Sequence, residues 1–452
     1  MANKSFFRSF LILSLICFAA STVLFAEREV DYDRYQSDLK YPDASNPKSA
    51  VRQDRLIFFS RILEQPFRPI GYMLGSAGEW FERSHAENKL IWFFDEAHSH
   101  GIYPHIKIPS EGYFVFGPAV RVQLDKLFNV EQQFVTANVH AGWTPNMHYE
   151  GSTADLGADY QIEAPTMPVY QKSLVRYFRS SSESFYGIGQ KTSRGDHSSY
   201  EPEELWAEGK IGYHITDDSN ATSAFAYQHM NIGNGSRGGM GKIKEHFAAS
   251  AIPGINGGDL IGIVNKLTHD NRDHKTDPKK GGYQEAEFSW FHDVDGNDFN
   301  YIKMSTSFAQ FIPIASDRRT LAVHFIAEKN KNLAGGQIPF FNLARLGGSD
   351  ISDGSELLRG YGFNRFFDEG LWVANIEYRY SIYEYANTGA DAVGLFDMGQ
   401  VFEEVHNIGF KDLKLNAGAG MNLKYRRRTI LSILLARGNE GWNLSAHMKA
   451  PF

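Results

Sequence analysis

The chain has 452 residues, a formal net charge of −7 at pH 7 and a sequence pI near 6.2, so it offers no overall basic character for binding nucleic acid. Aromatic residues make up 14% of the chain and 42 residues are glycine, whereas hydrophobic residues reach only 42%. This composition is expected of a transmembrane β-barrel, whose strands carry aromatic girdles and polar inner faces and are joined by many turns.

Residues 1–26 predict a secretory signal peptide. Lys4 and Arg8 precede an apolar core at 10–18, and small residues that permit cleavage follow. Cys17 is the only cysteine, and the large residue before it argues against a lipoprotein site. Because cleavage removes Cys17, we expect the mature chain to contain no disulfide and no cysteine-based metal site.

Residues 27–105 predict an N-terminal periplasmic leader followed by an amphipathic helical segment. Apolar residues recur at helical spacing after position 54, and the run LIWFF at 90–94 is too apolar to remain in water. The favoured interpretation is that this segment packs against the periplasmic mouth of a barrel. The alternative is that it lies on the membrane surface.

From residue 112 onward the hydrophobic period changes to two, which predicts β-strands. Strands of about 9–14 residues are long enough to cross a bilayer at a tilt. No later segment has a continuous apolar run long enough for a transmembrane helix, and an exported chain that spans a membrane without helices does so as a closed barrel. The fifteen segments are 113–126, 132–143, 152–163, 171–186, 204–216, 221–232, 259–270, 282–292, 297–312, 318–328, 371–383, 391–401, 413–425, 429–438 and 442–452.

The connections between these segments predict a sixteenth strand. Long loops should share one side of a barrel and short turns the other, and this parity requires an odd number of strands before the loop at 187–203. Only four are counted there. A fifth strand is therefore predicted within 101–171, for instance around 146–151, which gives a sixteen-stranded barrel over residues 106–452.

An arginine beside a flexible glycine stands out in the long loop at 349–370. An unpaired buried guanidinium costs several kcal/mol, so Arg359 needs an acidic partner unless it is solvated. Glu377 and Asp397, on the next two strands, are the candidates if the loop folds inward. The strand that carries Glu377 has a clean apolar face opposite the acid, whereas apolar residues share the face of Asp397. A solvated surface arginine is an equal alternative on residue statistics alone.

Two sequence blocks, LGGSDISDGSELLRGYGFNRF (346–366) and GLFDMGQVF (394–402), together with the C-terminal strand, resemble the BamA/TamA family of outer-membrane assembly and translocation barrels, the bacterial surface antigen superfamily. Arg359, Gly360 and Tyr361 match the family's arginine–glycine–aromatic loop motif. Asp397 resembles the aspartate that the family carries two strands later, and Glu377 falls on the acid of the intervening strand.

Three further segments carry the resemblance. Residues 184–200 look like the family's aromatic–Gly–x–Gly segment, and residues 269–281 look like its inner turn. In that turn Asp270, Arg272 and Asp273 would form a charge cluster, with a solvated turn as the alternative. The last strand resembles the signal by which outer-membrane barrels are recognised for their own assembly, and its alternating large residues are Trp442, Leu444, Met448 and Phe452.

Together with the strand count and the helical segment predicted above, the resemblance implies an all-β fold: a sixteen-stranded antiparallel transmembrane β-barrel in the cell outer membrane, with a short helical N-terminal segment and a long inward-folded loop. Polypeptide-transport-associated domains, which the family often carries, are not recognisable here. The implied function is insertion, assembly or translocation of proteins, or of lipids, by a non-covalent change of conformation at a seam between the first and last strands.

The implied partners are outer-membrane lipid, client outer-membrane or secreted proteins and periplasmic accessory proteins. A passive pore or structural barrel without client handling is the alternative. We expect no enzymatic activity, no catalytic residues, no cofactor and no metal. The calcium-loop-like residues 293–298 lack the spacing of ligands, and residues 233–241 lack the Lys-Ser/Thr of a phosphate-binding loop.

Overall fold

The computed structural model describes residues 102–107, 115–123, 134–145, 152–163, 168–235, 241–349, 356–385, 388–410, 412–425 and 428–447. The predicted signal peptide, leader and helical segment lie outside the described residues, apart from the part of the segment that falls in 102–105. Residues 146–151, Met448 and Phe452 also lie outside them. Within the described part of the chain, no helix is long and apolar enough to cross a membrane.

One large antiparallel sheet contains all the long strands, and each long strand pairs with the next one along the chain. In the part of the chain that the structure describes, the sixteen strands of this sheet are β1 (Ile102–Lys107), β2 (Val115–Gln123), β3 (Phe134–Pro145), β4 (Ser152–Glu163), β5 (Val169–Arg179), β6 (Ser198–Thr216), β7 (Ser219–Asn234), β8 (Gly257–Asp270), β9 (Gly281–Asp293), β10 (Asn300–Ile314), β11 (Ser316–Asn332), β12 (Gly370–Tyr385), β13 (Thr388–Phe402), β14 (Lys414–Tyr425), β15 (Arg428–Gly438) and β16 (Gly441–His447).

Short elements decorate this sheet. Two additional strands, Glu183–Phe185 and Gly241–Lys242, join it beside β6. The connection between β11 and β12 carries two small ladders of its own, Ala344–Leu346 with Phe366–Asp368 and Gly348–Ser349 with Glu356–Leu358. Helical structure in the described residues is limited to one turn of α-helix, Ile243–His246, and the 3₁₀ turns Arg194–Asp196, Phe340–Asn342 and Val405–Asn407.

The predicted fold class is confirmed, and the described residues contain sixteen strands that pair in chain order, as the sequence predicts. The strand missing from the sequence count is β1, which lies within the predicted range 101–171 but not at the suggested position 146–151. The prediction of a single strand over 171–186 is wrong. The ladder between β5 and β6 ends at Arg179, because the next position of β6 is Pro202, which has no backbone N–H to donate.

The two edges of the sheet differ in the length of their connections. Odd-numbered strands end at one edge, here called the loop edge, where the connections after β5, β7, β11 and β13 are long. Even-numbered strands end at the opposite edge, here called the turn edge. There the connections after β6, β10, β12 and β14 have only one or two residues, and the connection after β8 covers 271–280. This is the arrangement that the sequence parity predicts.

Alternation along β12 separates an inner face from an outer face. Leu371, Val373, Asn375, Glu377 and Arg379 are buried, and the residues between them are partly exposed. In β13 the inner face is more apolar, because its residues meet other apolar groups. Those groups are the loop that follows β11 and the inner side chains of β15. The acids that the sequence singles out are therefore held on the inside of the wall.

Aromatic residues from several connections form a core at the loop edge. The ring of Phe185 lies 5.2 Å from that of Phe340, 5.1 Å from that of Phe367 and 5.2 Å from that of Phe247, all in edge-on geometry. Burial of each such side chain contributes roughly 1.5–3 kcal/mol. We call this group the loop-edge core; it also includes Tyr200, Ile232, Ile243, Leu260, Phe299, Ile338 and Phe341.

Candidate functional site

The loop between β11 and β12, residues 333–369, is doubled back on itself by its two small ladders. Gly347 and Gly348 turn the chain with φ angles of +123° and +67°, backbone conformations that residues other than glycine rarely adopt. A Cβ atom on Gly347 would lie 2.5 Å from the carbonyl oxygen of Gly362 on the returning arm. The two arms therefore pack backbone to backbone, and the returning arm brings Leu358 and Arg359 to the inner wall.

Arg359 is completely buried against two strands of that wall. Its Nε donates to both carboxylate oxygens of Asp397, at 3.1 and 3.0 Å, and its Nη2 donates to Asp397 Oδ1 at 2.5 Å. Its Nη1 donates to Glu377, and its backbone N–H donates to Asp397 Oδ2 at 3.1 Å. The structure thus brings together the three charged residues that the sequence proposes as partners, and Arg359 is not solvated.

Neighbouring polar groups complete this cluster. Asn375 of β12 and Asn416 of β14 donate to Asp397 at 2.9 and 2.7 Å. Arg379 donates to the second oxygen of Glu377 at 2.7 Å. The cluster therefore contains two guanidinium groups and two carboxylates, with no formal net charge. We call Arg359, Glu377, Arg379 and Asp397 the charge cluster.

The balance of charge explains why the cluster is stable inside the wall. A buried ion pair is expensive to form because both ions lose water, but removal of a single partner from a formed pair costs about 3–5 kcal/mol. Burial of the Arg359 guanidinium is therefore tolerated only in the loop position where both acids contact it. Its value lies in fixing the position of the loop rather than in net stability.

Gly360 and Tyr361 fit the loop against the last strands. A Cβ atom on Gly360 would lie 2.5 Å from Asn416 Cβ and 2.8 Å from the backbone nitrogen of Gly438, so a side chain there has no room. Tyr361 is buried, and its hydroxyl donates to the carbonyl of Leu415 at 3.3 Å. Burial raises the pKa of this phenol, which keeps the hydroxyl protonated as a donor. The triplet thus packs onto β14 and β15 next to the charge cluster.

Two residues of the predicted turn cluster, Asp270 and Arg272, pair at the turn edge, and the third, Asp273, accepts from the backbone of the same turn. Arg272 donates through Nε and Nη2 to the two oxygens of Asp270, at 2.8 and 2.9 Å. The carboxylate of Asp273 accepts the backbone N–H groups of Lys279 and Lys280, at 2.9 and 3.1 Å. The side chains thus fix the shape of the turn 271–280.

This turn makes a second contact that the sequence did not indicate. Asp277 accepts from Lys424 of β14 at 3.1 Å, and Lys424 also lies 2.6 Å from Asp391 of β13. All three side chains are 7% exposed or less. Because β8 and β9 are separated from β13 and β14 by three intervening strands, the turn reaches across the inner side of the sheet.

The described part of the C-terminal strand presents large residues on its outer face. Trp442 is 63% exposed and Leu444 is 68% exposed, as expected for side chains that face lipid. Three further residues that hold the loop in place, Arg365, Glu440 and Asn443, are not indicated by the sequence. They are isolated polar residues in loops and hairpins, and no local pattern marks such residues as partners.

A polar cavity of about 970 Å³ lies on the inner side of the sheet below the loop-edge core. Its wall carries mutually neutralised charges: Lys266 lies 2.7 Å from Glu285, and Lys303 lies 3.2 Å from Glu328. Within the described residues, no cluster of three or more histidine, cysteine or acidic side chains has the arrangement of a metal site. The paired lysines and glutamates therefore neutralise one another within the cavity wall.

The comparisons with known proteins agree with this architecture. The model of the Omp85 superfamily domain matches residues 146–427, and no curated protein matches the chain. Among solved structures, the chain resembles BamA from Haemophilus ducreyi lacking POTRA domains 1–3, with 12% identity and a TM-score of 0.55 over 76% of this chain and 69% of that one. CdiB from Escherichia coli matches with 12% identity and a TM-score of 0.49 over 77% of this chain and 61% of that one. Because the family model covers more than half of its length, this chain belongs to the Omp85 superfamily.

Proposed function

We propose that this protein is an outer-membrane barrel that inserts, assembles or translocates client proteins by a non-covalent change of conformation. The observation that carries the proposal is the charge cluster, in which a loop of an Omp85 superfamily barrel is seated on the inner wall by Arg359. A buried guanidinium with two acidic partners holds one loop position strongly. A loop held in this way would allow the barrel to keep a defined conformation while part of its wall opens.

The part that opens, in this proposal, is the seam between β1 and β16. β1 pairs with β2 on one side and β16 pairs with β15 on one side, so these two strands are the first and last members of the sheet. An open strand edge presents backbone N–H and C=O groups that can pair with an incoming strand. A client chain would add to that edge, and the partners would be outer-membrane or secreted clients, outer-membrane lipid and periplasmic accessory proteins.

A passive pore is the second candidate, and the polar cavity is the observation that favours it. The loop-edge core argues in the other direction, because its packed aromatic side chains lie over the loop-edge end of that cavity. Conductance measured in planar bilayers separates the two candidates. A steady conductance without client handling would support the pore.

The experiment that tests the proposal is depletion of this protein in its own host, followed by quantitative proteomics and lipid analysis of purified outer membranes. Loss of many barrel proteins indicates a general insertase. Loss of one or a few proteins indicates a dedicated exporter, and altered lipid asymmetry indicates lipid clients. Unchanged outer membranes would overturn the proposal.

Complementation of the depleted host tests whether the function requires the charge cluster. Wild type and Arg359→Ala are expressed at equal levels in the depleted host, with Lys191→Ala as the matched control at an exposed loop position. We expect Lys191→Ala to restore the outer-membrane profile and Arg359→Ala to restore it only in part. Full restoration by Arg359→Ala would separate the charge cluster from the function.

A further inference from the structure

The loop that carries Arg359 is also attached to the hairpin formed by β15 and β16. Arg365, four residues after the motif, is 2% exposed and makes a two-point ion pair with Glu440 at the tip of this hairpin. Its Nε lies 2.9 Å from Glu440 Oε2 and its Nη2 lies 2.8 Å from Glu440 Oε1. Bidentate arginine–carboxylate pairs of this kind fix orientation as well as distance.

The guanidinium of Arg365 is itself held from both sides. It lies 4.5 Å from the ring centre of Tyr186 and 4.6 Å from that of Phe366, distances typical of cation–π contacts. It also donates to the hydroxyl and the carbonyl of Thr192, at 2.9 and 2.7 Å. Arg365 therefore has one well-defined position, and Glu440 is held at that position.

Asn443 of β16 makes the second attachment. Its Nδ2 donates to the carbonyl of Arg359 at 2.8 Å and to the carbonyl of Tyr361 at 3.0 Å. The outer neighbours of Asn443 along β16 face away from the wall, so its amide is directed to the inside. The same side chain thus connects the last strand to both residues that flank Gly360.

We propose that Glu440 and Asn443 are positioning residues that couple the seating of Arg359 to the loop-edge end of β16. The inference rests on the proposed function, because β16 is the last strand of the seam. When Arg359 leaves Asp397, the two carbonyls that Asn443 binds move with the backbone, and the last strand loses its attachment through Asn443. When β16 moves, the loop loses two hydrogen bonds next to the charge cluster. The coupling is reciprocal, as any coupling between two equilibria must be.

A consequence for the opening of the seam follows from the position of these contacts. Both attachments lie at the loop edge, where β16 begins. The loop-edge end of β16 is therefore held by the loop as long as Arg359 is seated. Opening with the loop seated starts from the turn edge, and complete release of β16 requires the loop to leave the charge cluster.

Hydrogen–deuterium exchange of the purified full-length barrel in detergent micelles tests the coupling, with mass spectrometry of the peptide that covers 439–447. Asp397→Asn is expected to raise exchange in that peptide, although the substituted residue lies in β13. Coupling free energies in proteins correspond to roughly 5–150-fold, and we expect an increase within this range. Asp412→Asn, which removes a partly exposed loop carboxylate, is the control and should leave that peptide unchanged.

The reverse direction provides a test that does not depend on the folding of Asp397→Asn. Asn443→Ala is expected to raise exchange of the amide of Arg359, which donates to Asp397 in the wild type. Asn443→Asp keeps the shape of the side chain but has no N–H to donate to the two carbonyls. It should therefore behave like Asn443→Ala, whereas a purely steric role of Asn443 would leave Asn443→Asp like the wild type.

Combination of the variants separates coupling from general loss of stability. In Glu440→Gln/Asn443→Ala the attachment is already absent, so addition of Asp397→Asn should give no further increase at 439–447. An additional increase of the same size as in the wild-type background would overturn the inference. So would wild-type exchange at 439–447 in Asp397→Asn.

The outcome is distinguishable from failure of the proposed function. Coupled exchange in the purified barrel, together with unchanged outer membranes after depletion, would refute the proposed function and support the coupling. Altered outer membranes after depletion, together with independent exchange at the two sites, would sink only the coupling.

Discussion

Replacement of Asp397 by asparagine is the sharpest test of the charge cluster. The carboxylate accepts from Arg359 Nε and Nη2, from the backbone of Arg359 and from Asn375 and Asn416. Asparagine has nearly the same shape, but one oxygen is replaced by an NH₂ group that can only donate. That group faces N–H donors, and Glu377 alone remains to balance two guanidinium groups.

The expected loss follows from this change of charge. Breaking one side of a buried ion pair costs about 3–5 kcal/mol. At about 1.4 kcal/mol for each factor of ten, this corresponds to roughly a hundred- to several-thousand-fold decrease in the equilibrium constant for seating the loop. If the seated loop and the barrel melt together, the thermal midpoint falls by roughly 5–10 °C.

The assay is the heat-modifiable mobility of the barrel during electrophoresis, recorded after incubation at a series of temperatures. Asp412→Asn is the matched control, because it makes the same chemical change at a partly exposed carboxylate that lies 3.7 Å from the exposed Lys191. Exposed pairs contribute only about 0–1 kcal/mol, so the control should melt like the wild type. If Asp397→Asn has the same thermal midpoint as the wild type and Asp412→Asn, the charge cluster does not stabilise the barrel as described.

Three further predictions concern other parts of the molecule. Gly360→Ala should lower the folded fraction strongly because its Cβ would meet Asn416 at 2.5 Å, whereas Gly362→Ala, with nothing within 4 Å of the added atom, should fold like the wild type; heat-modifiability compares the two. Burial raises the pKa of Asp368, in the loop, to about 6, above the value of an unfolded chain. The folded state then holds an extra proton between about pH 4 and 6, so stability should fall as pH rises through this window, and Asp368→Asn should flatten that part of the stability–pH curve measured by thermal melting. Lys424→Met leaves two buried carboxylates without their cation and should destabilise the barrel by about 3–5 kcal/mol in urea titrations. Its control, Lys279→Met, removes only a bridge to a half-exposed partner; equal losses in the two variants would contradict the assignment.

Much of the fold is predictable from the sequence because a barrel wall has a strict period of two. The alternation in β12 follows directly from the side chains, with Glu377 and Arg379 inside. The strand β1 escaped detection because it is only six residues long and contains Pro104 and His105 within its apolar pattern. The strand β5 was predicted too long because the element that ends it, Pro202, lies on the neighbouring strand.

The candidate site was predictable only where charge forces a pairing. A buried arginine needs acids, and the next two strands offer Glu377 and Asp397, so the partners of Arg359 could be proposed in advance. The contacts of Glu440 and Asn443 could not, because a polar residue in a hairpin is equally compatible with solvent. Lys424 and Asp277 are 147 positions apart in the chain, and no local pattern connects two such positions.

The turn 271–280 has a mechanical consequence. Through Asp277 the turn connects the β8–β9 hairpin directly to β13 and β14. Along the wall, the same strands are connected only through β10, β11 and β12. A direct connection of this kind fixes the distance between the hairpin and these two strands, so β8 to β14 behave as a stiff segment at the turn edge. Any change in the circumference of the barrel must then be absorbed by strands outside this segment, which include both strands of the seam. One buried lysine, Lys424, thus holds the β8–β9 hairpin at a fixed distance from β13 and β14.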